Sequence, residues 1–229
     1  ITMKVSVLNL VPLRHGESFK DAMDAMVRLA KRVEDLGYTR YWIAEHHNMR
    51  SIASSATQLL IQHTLANTKK IRVGSGGVML PNHSPYLIAE QYGTLETLYP
   101  NRVDLGLGRA PGTDVPTARA LRRTKDLKTD FERDLAELSG YFKGSNYVQA
   151  YPAHGLYLPF YILGSSTDSA YLAAKLGLPY SFAAHFAPTM MENAIAIYNR
   201  YFQPSAILDK PYVILGVNAI LADTDEEAK

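Results

Sequence analysis

Seven short apolar runs, beginning near Lys4, Tyr38, Ile71, Val103, Leu158, Leu178 and Tyr212, do most to restrict what this 229-residue chain can fold into. Most are dense in apolar residues rather than alternating, the pattern of strands buried on both faces of a parallel sheet. The first four begin about 33 residues apart, the length of one strand-plus-helix unit. Helical patterns fill the gaps. In the first, Phe19, Met23, Met26, Leu29, Ala30, Val33 and Leu36 are predicted to share one face. Ser18 with Asp21 reads there as a capping pair, and Gly37 suits the C-terminal stop. A later helix places Met191, Ala194, Ile195, Tyr198 and Phe202 on one stripe, between Pro188 and Pro204.

Alternation of this kind leaves two architectures, an open doubly wound sheet or a closed (β/α)8 TIM barrel. The interval from the fourth to the fifth strand is longer than the others. Residues of about 111–158 hold a predicted helix, Asp130 to Phe142, and a turn-rich stretch with Gly144, Asn146, Pro152 and Gly155. That interval reads as an elaborated connection near the site, within a single domain over 1–229. A complete barrel takes about 250 residues, and Thr224-Asp225-Glu226-Glu227-Ala228 opens a further helix. The expectation is an α/β (β/α)8 barrel that is shortened or incompletely represented at its C-terminus.

Composition removes several function classes. Lys and Arg number 24 against 22 Asp and Glu, so no strong field favours nucleic acid or a membrane surface. The basic stretch from Arg119 to Arg133 is interleaved with acids and reads as a solvated face. Cysteine is absent, which excludes disulfides, a thiolate metal site and a cysteine nucleophile. The apolar run after Lys4 ends by Pro12-Leu13-Arg14, too short for a membrane span or a signal core. A soluble, cytoplasmic protein is expected.

The strand-like runs end in chemistry. The second breaks into Glu45-His46-His47-Asn48, the third into Gly74-Ser75-Gly76-Gly77, the fourth into Gly106-Leu107-Gly108-Arg109 and the fifth into Gly164-Ser165-Ser166. Polar groups at the downstream ends of successive parallel strands are how such folds assemble one active site. Tandem histidines after an acid suit proton transfer near neutral pH, and alternation points His46 and His47 to opposite sides. His15, His63, His83, His154 and His185 lack ligand spacing, so no metal is expected. Glycines at the third strand end permit close approach of a flat ligand, or else make a simple turn. The spacing from Gly106 to Gly112 is not that of a dinucleotide fingerprint, and Pro111-Gly112 opposes a helix opening there. Arg109 suits an anion clamp or a structural ion pair. Ser165-Ser166-Thr167-Asp168-Ser169 opens a helix, so it suits phosphate binding, plain N-capping, or both. His185 ends the sixth strand, where it lines a substrate pocket with Asn9 and His47 or else is a buried structural histidine.

In order along the chain, Tyr41-Trp42-Ile43-Ala44-Glu45-His46-His47-Asn48, Ile71 to Pro81, Arg102 to Gly112, Leu163-Gly164-Ser165-Ser166 and Leu176-Gly177-Leu178-Pro179 resemble the bacterial luciferase-like monooxygenases. The resemblance covers nearly the whole chain. It implies a barrel flavoprotein using reduced flavin mononucleotide (FMN) and oxygen, with flavin supplied by a separate reductase, and a homodimer. By resemblance, His46 is the catalytic histidine and Gly76-Gly77 the pair joined by a non-proline cis peptide against the flavin ring. Arg109 and Ser166 match phosphate contacts, with Ser165 and Ser169 nearby. Arg119 is expected as a second phosphate arginine, with Arg122 as the alternative. The implied activity is oxidation of a small organic substrate such as an aldehyde. A non-catalytic flavin-binding protein and a deazaflavin-dependent dehydrogenase on the same scaffold are the alternatives.

Overall fold

A computed structural model describes residues 2–229. Seven strands alternate with helices: β1 Ser6–Asn9, β2 Arg40–Ile43, β3 Arg72–Met79, β4 Val103–Gly108, β5 Phe160–Gly164, β6 Tyr180–Ala183 and β7 Val213–Gly216. The helices are α1 Phe19–Asp35, α2 Thr57–Ala66, α3 Pro85–Leu98, α4 Val115–Arg122, α5 Phe131–Lys143, α6 Thr167–Leu176, α7 Met191–Tyr201 and the short α8 Asp225–Ala228. The strands run in one sheet in sequence order, β1 through β7. Every strand pair whose register is given is parallel. Sequential order is that of a (β/α) barrel series; a doubly wound sheet reverses direction at its switch point. The predicted connection of 111–158 holds α4 and α5. Packing divides the chain into two compact units, with the boundary inside β5, after Tyr161.

In the first unit, α1 begins with a reciprocal cap. The Asp21 amide donates to Ser18 Oγ at 3.1 Å, and the Ser18 amide donates to the Asp21 carboxylate at 2.9 Å. Gly37 follows the helix at φ 79°, a left-handed conformation that glycine adopts without steric cost. The buried face is not quite the predicted one. Ala22, Met26, Ala30 and Val33 are buried, whereas Phe19, Leu29 and Leu36 are exposed. Glu34, at the end of α1, accepts the backbone amides of Lys69, Lys70 and Ile71 and so pins the entry to β3.

The starts of β2, β3 and β4 share one buried ion cluster. The Asp104 carboxylate, with no exposure, lies 2.8 Å from Arg72, 3.3 Å from Arg40 Nε and 3.0 Å from the Trp42 indole Nε1 that donates to it. Arg40 also lies 5.4 Å over the Tyr161 ring, whose edge-to-face partner is Trp42 at 5.0 Å. Gly74 on β3 is obligatory here, because a Cβ would overlap the Asp104 carbonyl.

In the second unit, α6 ends on Gly177 at φ 63°, and α7 buries Ala194 and Tyr198 as the stripe predicted. Tyr198 Oη donates to the Leu178 carbonyl at 2.8 Å and accepts the Tyr212 amide at 3.1 Å, joining the entries to β6 and β7. No helix among the described residues is long and apolar enough to cross a membrane.

Candidate functional site

Glu45 lies two residues beyond β2, is 1% exposed, and is the hub of the strand-end region of the first unit. Its oxygens are used symmetrically. Oε2 accepts from His47 Nε2 at 2.8 Å and from Asn82 Nδ2 at 3.3 Å. Oε1 accepts from His83 Nε2 at 2.7 Å and from the Met79 amide at 3.4 Å. Burial alone would raise the Glu45 pKa, but the hydrogen bonds from His47 and His83 outweigh it and hold the carboxyl down at about 2. A glutamate with two imidazoles is also a set of residue types that binds metals. Here the N···O distances of 2.7 and 2.8 Å are direct hydrogen bonds, and the four acceptor positions of the carboxylate are filled.

His46 makes no side-chain hydrogen bond to that hub, although the Glu45 charge acts on its ring. Its backbone amide donates to the Ser54 carbonyl at 3.0 Å, while Nδ1 is buried without a hydrogen-bond partner. Burial lowers its pKa, overriding the attraction of nearby Glu45, so the neutral ring is favoured at neutral pH. An orphaned buried imidazole nitrogen is uncommon in a folded protein and is expected where a ligand or water completes the set.

β3 supplies the glycine segment. The Gly76–Gly77 peptide is cis, and the register with β4 slips between Ser75 and Val78. Ser75 spans the irregularity, its Oγ accepting the Gly106 amide at 3.0 Å and donating to the Gly106 carbonyl at 2.9 Å. Part of the demand for glycine is internal packing: a Cβ at Gly76 would approach Leu8 Cδ1 to 2.6 Å and Trp42 Cβ to 3.0 Å. Just beyond β3, a 3-10 turn over Leu80–Asn82 delivers Asn82 and then His83 to Glu45.

The loop after β4 is tied to this region at three points. Asn82 Nδ2 donates to the Pro111 carbonyl at 2.6 Å, Asn48 Nδ2 to Asp114 Oδ2 at 2.9 Å, and Thr113 Oγ1 to the His47 carbonyl at 3.4 Å. Arg109, exposed, lies at the start of that loop, and Asp114 caps α4 through the Thr117 amide at 2.9 Å. Arg119 lies exposed on α4; Arg122 is partly buried and donates to the Lys128 carbonyl at 3.3 Å. Asn9 is committed locally, its Nδ2 donating to Tyr41 Oη at 2.6 Å and its Oδ1 accepting the Val11 amide at 2.8 Å.

The second unit carries the remaining predicted residues. Ser166 stands at the N-cap of α6, yet its side chain makes no capping bond. Ser169 Oγ instead donates to the Ser166 carbonyl at 2.8 Å and meets Tyr180 Oη at 2.9 Å. Ser165 and Ser166 are partly buried at the exit of β5. His185, at the exit of β6, has Nδ1 at 3.2 Å from the Gly216 carbonyl and its ring 4.2 Å from Phe186. Sequence reading missed His83 and Asn82. Both follow the third strand directly, one repeat beyond Glu45-His46-His47, and strand-end residues one repeat apart are neighbours in a sequentially ordered sheet.

The model of the luciferase-like monooxygenase family matches residues 3–229. The Bacillus subtilis protein YddN is 56% identical over 98% of this chain and 67% of its own length. A luciferase-like monooxygenase of Escherichia coli strain K12 is 51% identical over 100% of this chain and 69% of its own. The chain thus spans about two thirds of these relatives. The crystal structure of apo-MsnO8 superposes with a TM-score of 0.92 at 37% identity, covering 98% of this chain and 67% of that one. Two others share the fold at 17% identity. The oxygenating constituent of 3,6-diketocamphane monooxygenase of Pseudomonas putida, in complex with FMN, has a TM-score of 0.80 over 99% of this chain and 70% of its own. An F420-dependent secondary alcohol dehydrogenase has one of 0.65 over 88% and 64%.

Proposed function

Since this chain belongs to the luciferase-like monooxygenase family, we propose that it uses reduced FMN and oxygen to oxidise a small organic substrate such as an aldehyde. The observation that carries this reading is the buried, unpartnered Nδ1 of His46 at the exit of β2. The residues present suit the cofactor in each unit. The first offers the glycine segment of β3 and Arg109 just beyond β4; the second offers Ser165, Ser166 and the first turn of α6, which no Ser166 side chain caps. Free amides at a helix start attract phosphate oxygens, and a guanidinium grips them in a fork.

Reduced FMN, when bound, supplies the two electrons by which one oxygen atom enters the substrate and the other leaves as water. His46 holds and moves the proton. Its ring, kept neutral by burial, accepts or donates at Nδ1 without first having to lose a charge. Arg109, with Arg119 or Arg122, binds the phosphate; His47 takes part in holding the substrate. The same reading includes a separate flavin reductase and a homodimer.

Oxygen uptake with chemically reduced FMN and a panel of aldehydes tests the reaction. Consumption coupled to carboxylate product is expected; no uptake, with hydride exchange to a deazaflavin, would select the dehydrogenase alternative. Reduced FMN is expected to bind more tightly than reduced riboflavin. Arg109→Ala should cost about 1.5–3 kcal/mol of FMN binding, the range for hydrogen bonds to a charged group. Equal affinity for FMN and riboflavin would remove the phosphate site.

A further inference from the structure

An ionised carboxylate only accepts hydrogen bonds, so every atom that bonds to Glu45 must bring a proton. His47 and His83 each face it through Nε2, at 2.8 and 2.7 Å. Both Nε2 atoms therefore carry hydrogen, and in the neutral rings both Nδ1 atoms are bare. Neither Nδ1 makes a hydrogen bond among the described residues, and neither is among the buried polar atoms that lack a partner. Both are consequently open to solvent, in rings whose side chains are 11% and 20% exposed. The Met79 amide and Asn82 Nδ2 fill the other acceptor position on each oxygen, which prevents the carboxylate from rotating away from either ring.

We propose that Glu45 is a positioning residue that locks His47 and His83 together as Nε2–H tautomers, so that the strand-end site presents two bare Nδ1 nitrogens as acceptors for a donor group of the substrate. A hydroxyl, a hydrated aldehyde, a thiol or an amide N–H has the chemistry to meet them. His83 becomes part of the site, and His47 is an oriented acceptor rather than only a supporting ring. The tautomer assignment rests on geometry alone; the use of the acceptors rests on the oxygenase reading.

Long-range proton–nitrogen correlation spectra of protein carrying nitrogen-15 histidine, at pH 7.5, test the assignment directly. Single His47→Gln and His83→Gln variants identify the two rings. Both rings are expected in the Nε2–H form. Either ring in the Nδ1–H form, or in exchange between forms, would overturn the proposal. Glu45→Gln sharpens the result, because a carboxamide has one acceptor atom and one donor atom. One ring should keep Nε2–H and the other should switch to Nδ1–H so as to accept from the new amide. Two unchanged rings in that variant would contradict positioning by Glu45, and if the variant fails to fold, the unsubstituted protein decides alone.

Turnover separates this proposal from the function it rests on. His83→Gln still donates to Glu45 but loses the imidazole acceptor, and should slow coupled oxygenation by roughly 10–100-fold, the usual effect of removing an orienting partner. Full turnover in that variant would reduce His83 to a strut and overturn its part in the site. Absence of any oxygenation in the unsubstituted protein, with both tautomers as expected, would sink the oxygenase reading and leave the lock standing.

Discussion

Two buried carboxylates in the first unit, one near each end of its strands, make opposite use of similar chemistry. Asp104, near the strand starts, is held by the permanent charges of Arg40 and Arg72 and by the Trp42 indole. Glu45, past the strand ends, is held by two imidazoles, a carboxamide and a backbone amide. A guanidinium only donates hydrogen bonds, whereas a neutral imidazole donates through one nitrogen and accepts through the other. The first cluster therefore fixes structure, and the second orients two rings at the strand ends. Downstream strand ends host catalysis in barrels of this kind, and the opposite ends serve stability. The partner chosen for each carboxylate follows that division.

The largest effect should come from the strand starts. Asp104→Asn leaves two buried or half-buried guanidiniums without their anion and should destabilise the fold by about 3–5 kcal/mol in urea unfolding. Flavin-dependent turnover of the protein that remains folded should change little. A stable Asp104→Asn protein without turnover would invert the comparison.

Acid should next distinguish the two ends. The folded pKa of Glu45, about 2, lies below the ordinary glutamate value near 4.5. Its contribution is complete above about pH 4.5 and is lost as pH falls through about 2, for a total on the order of 3 kcal/mol. Unfolding measured from pH 7 to pH 2 should lose that increment in the native protein and lack it in Glu45→Gln. His46 adds a smaller term of the same sign. Its lowered pKa favours the neutral ring, so stability begins to fall as pH drops below about 6.5.

A substitution between the two ends should have an intermediate effect. Gly76→Ala forces a methyl against Leu8 and Trp42 and should cost about 1–3 kcal/mol through overpacking, read from the urea midpoint. A neutral result would mean that the β3 segment yields more readily than its burial implies, and would weaken the packing account of that glycine.

The strand-start cluster was open to reading before any fold was known. Arg40, Arg72 and Asp104 are each 32 residues apart (72 − 40 and 104 − 72), one repeat, and all lie at the starts of apolar runs. The strands themselves were legible to within about two residues, because runs buried on both faces stand out from their surroundings. His46 and the glycine segment were found because they interrupt such runs. His83 was passed over because a search for ligand spacing compares residues along the chain, whereas this contact joins the ends of neighbouring strands. The buried face of α1 was misjudged at Phe19, Leu29 and Leu36 because hydrophobic periodicity records apolar character, not the space available beneath a helix. Ser166, one of the two residues that could cap α6 by sequence, with Asp168, takes the capping position without the capping bond.

Replacement of His46 tests most directly whether the strand ends carry chemistry rather than structure. His46→Ala should unfold within about 1 kcal/mol of the native protein in urea, as expected for a half-buried ring without a partner at Nδ1. Coupled oxygenation of substrate by reduced FMN should nevertheless fall by roughly 10²–10⁴-fold, the usual share of a positioned acid or base. Oxygen would then be released as hydrogen peroxide instead of entering product. A His46→Ala protein with full coupled turnover, or one that loses its fold, would contradict the account.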